Sequence, residues 1–108
     1  MRARKYHVEW TEVARRDLLQ IVDHILDDTL ALGWLDQLEE KAAALNRHPH
    51  RGRLVPELGR LEVREYRELL VGAYRIIYRV VGDTVFILGI FDGRRNLEDL
   101  ILKRLLSF

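Results

Sequence analysis

The sequence predicts an α+β fold: an N-terminal strand, a two-helix hairpin, an antiparallel β-meander with the helices packed on one sheet face, and a short C-terminal helix. Three observations predict it. A short alternating segment is followed by apolar residues recurring at helical spacing. From Val63 onward the period switches to two. Gly82-Asp83 then separates two alternating runs, where a two-residue hairpin turn belongs.

Lys5 to Trp10 places Tyr6, Val8 and Trp10 on one face and His7 and Glu9 on the other, the pattern of a half-buried strand. Thr11 is placed to cap a helix, because its hydroxyl accepts from a first-turn amide. Ala14, Leu18, Ile21 and Ile25 form that helix's apolar stripe. A break is expected near Asp28-Thr29, with Thr29 as a second cap. Leu35, Leu38, Ala42 and Leu45 make the next stripe, and Pro49 stops it. Trp10 and Trp34 read as core anchors.

His48 to Gly59 reads as a loop, rich in Pro, Gly and Arg. Strands are expected over Val63 to Leu69, Ala73 to Val81 and Thr84 to Phe91. Asn96 is placed to cap a last helix with Leu97, Leu100, Ile101 and Leu105 as its stripe. Asp99 in its first turn favours the helix dipole.

At 108 residues the chain is expected to be a single domain, residues 1–108. With 48% hydrophobic and 32% charged residues it has both a core and a solvated surface. It has no cysteine, which excludes disulfides and thiolate metal sites. No apolar run approaches the ~20 residues of a membrane span. The basic Met1 to Lys5 is followed by His7, Glu9 and Glu12 rather than an apolar stretch. A cytoplasmic protein without membrane contact is expected.

The net charge of +1 is unevenly distributed. Residues 1–46 hold six Lys/Arg against nine Asp/Glu, a net of −3, and residues 47–108 hold twelve against eight, a net of +4. A basic second half suits an acidic partner or nucleic acid. On the central strand, Tyr74, Ile76, Tyr78 and Val80 point under the helices, and Arg75, Ile77, Arg79 and Val81 point away. Arg75 and Arg79 thus share a face. Arg64 and Arg67 lie on the strand before, and Arg94 and Arg95 follow the strand after. Such guanidinium groups bind phosphate or carboxylate bidentately. On residues alone a paired surface outweighs a site, with Glu62, Glu65 and Glu68 as internal partners.

Three runs, taken in order, carry a family resemblance: PHRGRLVPELG from Pro49, RELLVGAYRIIYRV from Arg67, and FDGRRN ending at Asn96. The chain resembles the RelE/ParE superfamily of type II toxin–antitoxin toxins, in its ParE-like branch, over nearly its whole length. The resemblance implies a growth-inhibiting toxin neutralised by a cognate antitoxin. It also implies one of two mechanisms, mRNA cleavage on the ribosome or poisoning of DNA gyrase.

The nuclease alternative needs charge stabilisation and proton transfer. Arg75 and Arg95 match the arginine positions of RelE-like nucleases and are the catalytic candidates under that reading. The strand before Arg75 carries Tyr66, Arg67 and Glu68 where those enzymes use lysines. The C-terminal tyrosine position falls on Ile101, and no Tyr or His follows Phe91. His48 and His50 read as exposed loop residues. With Glu57 they make a loose ligand set, and neither metal nor cofactor is expected.

Gyrase inhibition without chemistry is therefore the leading expectation. Arg64, Arg67, Arg75, Arg79, Arg94 and Arg95 would form the target-binding face, and Leu97, Leu100, Ile101 and Leu105 the antitoxin-docking stripe. Equally compatible with that stripe is a helix that caps the sheet's own core. The alternatives are a ribosome-dependent endoribonuclease and a degenerate toxin that only binds antitoxin. The endoribonuclease reading expects Arg75→Ala to leave folding intact and abolish cleavage.

Overall fold

A computed structural model describes residues 5–25, 32–94 and 97–106, excepting the side chains of His24, Ile25, Leu32, Trp34 and Leu106. The break expected at Asp28-Thr29, the Asn96 cap, and the placement of Ile25 and Trp34 in the core lie outside the described residues.

Strand β1 (His7–Trp10) leads into helix α1 (Glu12–Ile25). Thr11 joins them as its side chain predicts. Its Oγ1 accepts from the Ala14 amide at 3.2 Å and donates to the Ile87 carbonyl at 2.9 Å. Helix α2 (Leu32–Ala43) runs into a 3₁₀ turn (Ala44–Asn46), so the helical stripe ends a few residues before Pro49.

The stretch read as a loop holds two short elements, β2 (Arg53–Leu54) and the single helical turn α3 (Pro56–Gly59). Pro56 starts that turn, where its fixed φ fits and its missing amide costs nothing. Both elements are too short for periodicity to reveal. Strands β3 (Tyr66–Val71), β4 (Tyr74–Val81) and β5 (Thr84–Asp92) form the meander, and α4 (Glu98–Leu106) closes the chain.

The sheet order is β1-β5-β4-β3-β2, with β1 parallel to β5 and every other pair antiparallel. Gly82 adopts φ +59° in the turn joining β4 to β5, which fulfils the hairpin expectation. A second two-residue turn, Gly72-Ala73, joins β3 to β4, with Gly72 at φ +57°. It ends β3 at Val71 rather than Leu69 and removes Ala73 from β4; β3 also starts at Tyr66 rather than Val63, so Arg64 precedes the strand instead of lying on it.

Alternation along the strands builds two cores. Ile76, Tyr78, Val85, Ile87 and Ile90 face α1 and α2, meeting Ala14, Ile21, Leu38, Ala42 and Leu45. Ile77, Leu88 and Phe91 face the other way, against Val55, Leu58, Leu97, Ile101 and Leu105. A bulge sets this division. Ile77 pairs with Gly89 and Tyr78 with Ile87, so Leu88 is an extra residue. It shifts the phase of β5, returning Ile90 to the first core and sending Phe91 to the second.

The face opposite α1 and α2 is therefore not open, as the arginine pattern suggested, but covered by α3 and α4. An ion pair joins the two layers around the free part of β5, beyond the end of β1 pairing at Ile87. Asp17 of α1 accepts from the Ile90 amide at 3.0 Å and from Arg104 of α4 at 2.8 Å. The Arg104 guanidinium also lies 5.1 Å from the Phe91 ring centroid. This arrangement satisfies an edge amide that has no strand partner.

Candidate functional site

Among the described residues, the arginines expected to form the target-binding face separate into two groups at different places on the sheet, and the chemistry of each follows from its partners.

Arg75 occupies the first group. Its two terminal nitrogens donate to both Glu57 oxygens at 2.7 Å each, a bidentate pair across the gap between β4 and α3. Its Nε donates to Glu68 Oε1 at 2.7 Å, and Arg53 Nε donates to Glu68 Oε2 at the same distance. The Glu68 side chain is fully buried and that of Arg75 is 11% exposed. The result is a chain, Glu57–Arg75–Glu68–Arg53, in which every carboxylate oxygen is engaged. The hydrogen bonds Arg75 donates to Glu57, and then the one it donates to Glu68, raise its pKa further above its ordinary value against the opposing effect of burial. Arg75 in turn holds the Glu57 carboxyl below its ordinary range, chiefly by hydrogen bonding.

This depression carries a pH dependence. A carboxylate with a lowered folded-state pKa adds stability above its unfolded value, 4.5, and loses it as pH falls through the folded value. Urea midpoints of the wild type should therefore drop on acidification below about pH 5. The Glu57→Gln variant should be less stable at neutral pH, and its curve should converge on the wild type in acid. Parallel curves across that window would show that Glu57 does not carry the effect.

Arg94 and Tyr74 line the same groove as Arg75, so the meander does bring Arg94 back towards Arg75. Arg94 is exposed and held by Asp92, with Nε and the terminal nitrogen at 3.0 and 2.8 Å. That pairing raises its pKa. Arg95 lies outside the described residues. The alternation of the strand places Tyr74 under the helices. It does pack there in part, yet its position at the start of β4 also leaves it on the groove wall.

The second group is Arg64, Arg67 and Arg79 with His50, around a shallow depression at the other end of β3 and β4. Arg67 donates to the Gly52 carbonyl at 2.8 Å. Arg79 approaches Glu65 at 3.3 Å and lies 5.8 Å from the Tyr66 ring centroid. Two of the expected internal partners, Glu65 and Glu68, are thus engaged; the third, Glu62, turns the chain at φ +62°. Glu57, which the sequence offers with His48 and His50 as a loose ligand set, is committed to Arg75. Among the described residues no group of side chains could hold a metal.

The C-terminal stripe divides as well. Leu97, Ile101 and Leu105 are buried in the second core, while Leu100 is 47% exposed. Of the two readings of this helix, covering the sheet accounts for three of the four residues. The reason is the parity of β5, whose bulge turns Leu88 and Phe91 towards α4. Leu100 and Leu97 border a groove between α1 and α4 that also meets Asp17, Gln20 and Arg104.

The five-stranded mixed sheet with helices on both faces places the chain among toxins of the RelE/ParE fold. In a chromosomal ParDE toxin–antitoxin system from P. aeruginosa, one chain matches with a TM-score of 0.66 and 26% identity, covering 82% of this chain and 97% of that one. The toxin–antitoxin complex RelBE2 from Mycobacterium tuberculosis matches with a TM-score of 0.61 and 28% identity, over 84% and 94%. An arginine-to-alanine double mutant of the E. coli toxin RelE in the free state shares the fold, with a TM-score of 0.64 at 14% identity, over 96% and 98%. No curated protein matches the chain. The family model for the ParE toxin of the type II toxin–antitoxin system parDE matches residues 8–97, and the chain belongs to that family. No described helix is long and apolar enough to cross a membrane.

Proposed function

We propose that this ParE-family toxin acts by binding DNA gyrase and blocking its cycle, without catalytic chemistry of its own. The observation that carries the reading is the state of Arg75. A nuclease needs that guanidinium free to meet a phosphate, whereas here two carboxylates occupy it. Displacing them would leave the fully buried Glu68 charge short of a partner, an expensive step in a low-dielectric site. The absence of Tyr and His after Phe91 supports the same conclusion.

Tyr74 favours a second reading, a ribosome-dependent endoribonuclease. Tyr74 borders one groove with Arg75 and Arg94 and is a candidate proton donor. That mechanism requires Glu57 to release Arg75 when RNA binds. In either case a cognate antitoxin is the proposed partner. Its segment would seat in the groove between α1 and α4, on exposed Leu100 with Leu97 at the margin, while Ile101 and Leu105 support the helix from beneath.

The test in cells is the order of events after induction. Gyrase poisoning predicts that thymidine incorporation falls before leucine incorporation. The reverse order would favour the ribosome, and growth unaffected by full induction would leave only antitoxin binding.

A further inference from the structure

We infer that the surface formed by the loop around His50-Arg51 and the basic end of β3 and β4 is a duplex-DNA contact, distinct from the Arg75 groove. The observation is where carboxylates are missing. Among the described residues, Arg16, Arg53, Arg60, Arg75, Arg79, Arg94 and Arg104 each pair with an acidic side chain. Five arginines have none within ion-pair distance. Four of these fall close together: Arg47 and Arg51 in the segment 47–52, Arg64 just before β3, and Arg67 on β3 itself.

The segment is anchored there by the backbone of Gly52. Its amide donates to the Tyr78 hydroxyl at 2.9 Å, and its carbonyl accepts from Arg67 at 2.8 Å. His50 borders both Arg51 and the depression shared by Arg64, Arg67 and Arg79. Arg67 spends its hydrogen bond on a neutral carbonyl, so its charge is not cancelled. Glu65 is the single acidic residue lining this depression, and it is exposed and faces Arg79.

An uncancelled positive surface on a chain of net charge +1 is a local device rather than a general bias. Its chemistry matches a phosphate backbone, for which Arg is well suited. A protein partner would want aromatic or apolar anchors. Val80 is the one apolar residue lining the depression, and it is half-buried. A single strand would want an exposed stacking platform. Tyr66 packs on the second core and is approached by Arg79, so among the described residues the His50 imidazole is the one exposed ring lining the depression, too few to stack successive bases. Duplex backbone is the remaining class. This assignment deepens the gyrase reading and rests on it only for the source of the DNA, since gyrase acts on duplex.

The test is fluorescence anisotropy of a labelled duplex with the purified chain, in the absence of gyrase, over a series of salt concentrations. The expected slope of log K against log salt is about −3 to −4, near −0.9 for each neutralised phosphate. The double variant Arg51→Ala, Arg64→Ala should reduce its magnitude by about 2. Arg15→Ala with Arg16→Ala removes the same charge from α1 and should leave the slope unchanged. Equal losses in both double variants, tighter binding to a single strand than to duplex, or displacement of DNA by polyglutamate at equal charge would each overturn the assignment. The outcome is separable from the gyrase reading, because inhibition of supercoiling by the Arg51, Arg64 variant is scored independently.

Discussion

Replacing Arg75 with alanine is expected to cost about 3–5 kcal/mol of folding stability, the range for removing one partner from a buried ion pair. Glu68, wholly buried, would keep only Arg53, and Glu57 would lose both of its hydrogen bonds to Arg75. At roughly 4–8 °C per kcal/mol for a domain of this size, the melting temperature should fall by more than about 10 °C. A second substitution separates charge from packing. Adding Glu68→Gln to Arg75→Ala removes the uncompensated carboxylate, so the double variant should be more stable than the sum of the two single losses predicts. Additive losses in calorimetry would mean that Arg75 contributes through its aliphatic stem rather than its charge. The endoribonuclease reading expects Arg75→Ala to leave folding intact; the buried network argues for the opposite outcome, in which loss of any activity in this variant reports first on stability.

Gly52→Ala should be the next most damaging change. A methyl group at Gly52 would lie 2.5 Å from the Glu68 carbonyl oxygen and 2.7 Å from the Tyr78 hydroxyl. The first of these atoms belongs to the backbone of β3 and cannot swing aside. The second is fixed by its hydrogen bond to the Gly52 amide, within a side chain that is fully buried. Overpacking of this kind typically costs about 1–3 kcal/mol. The loop would be pushed off the sheet, which also separates Arg51 from Arg67. Gly59→Ala is the control, since an added methyl there meets nothing within 4 Å. A Gly52→Ala protein as stable as the wild type, with Arg67 protected as before, would contradict the close approach.

The long elements were legible because each has a strong period. Leu38, Ala42 and Leu45 fall on one helical face, and Tyr74, Ile76 and Tyr78 on one strand face, and all six pack into the first core. Thr11 and Gly82 carried chemistry specific enough to mark a cap and a turn. The second face was not legible. Nothing in the alternation from Thr84 to Phe91 along β5 announces that Leu88 is an extra residue, yet that bulge decides which side chains α4 covers. Arg75 shows the same limit. Its residue type and position suited a site, and its role followed from Glu57, eighteen positions away on a single helical turn that has no period to read. The unequal pairing of the arginines was likewise invisible, because ion pairs such as Asp17–Arg104 span the chain from end to end.

The most direct test of the central claim is a supercoiling assay. Purified protein is added to DNA gyrase, relaxed plasmid and ATP, and both supercoiling and trapped cleavage complexes are scored. Gyrase-directed action without catalysis predicts loss of supercoiling with accumulation of linear plasmid, and no cleavage of a reporter mRNA by translating ribosomes at the same concentration. Unimpaired supercoiling at large excess, together with mRNA cut on the ribosome, would contradict it and favour the nuclease reading, with Arg75 as a catalytic residue and Tyr74 as the candidate proton donor.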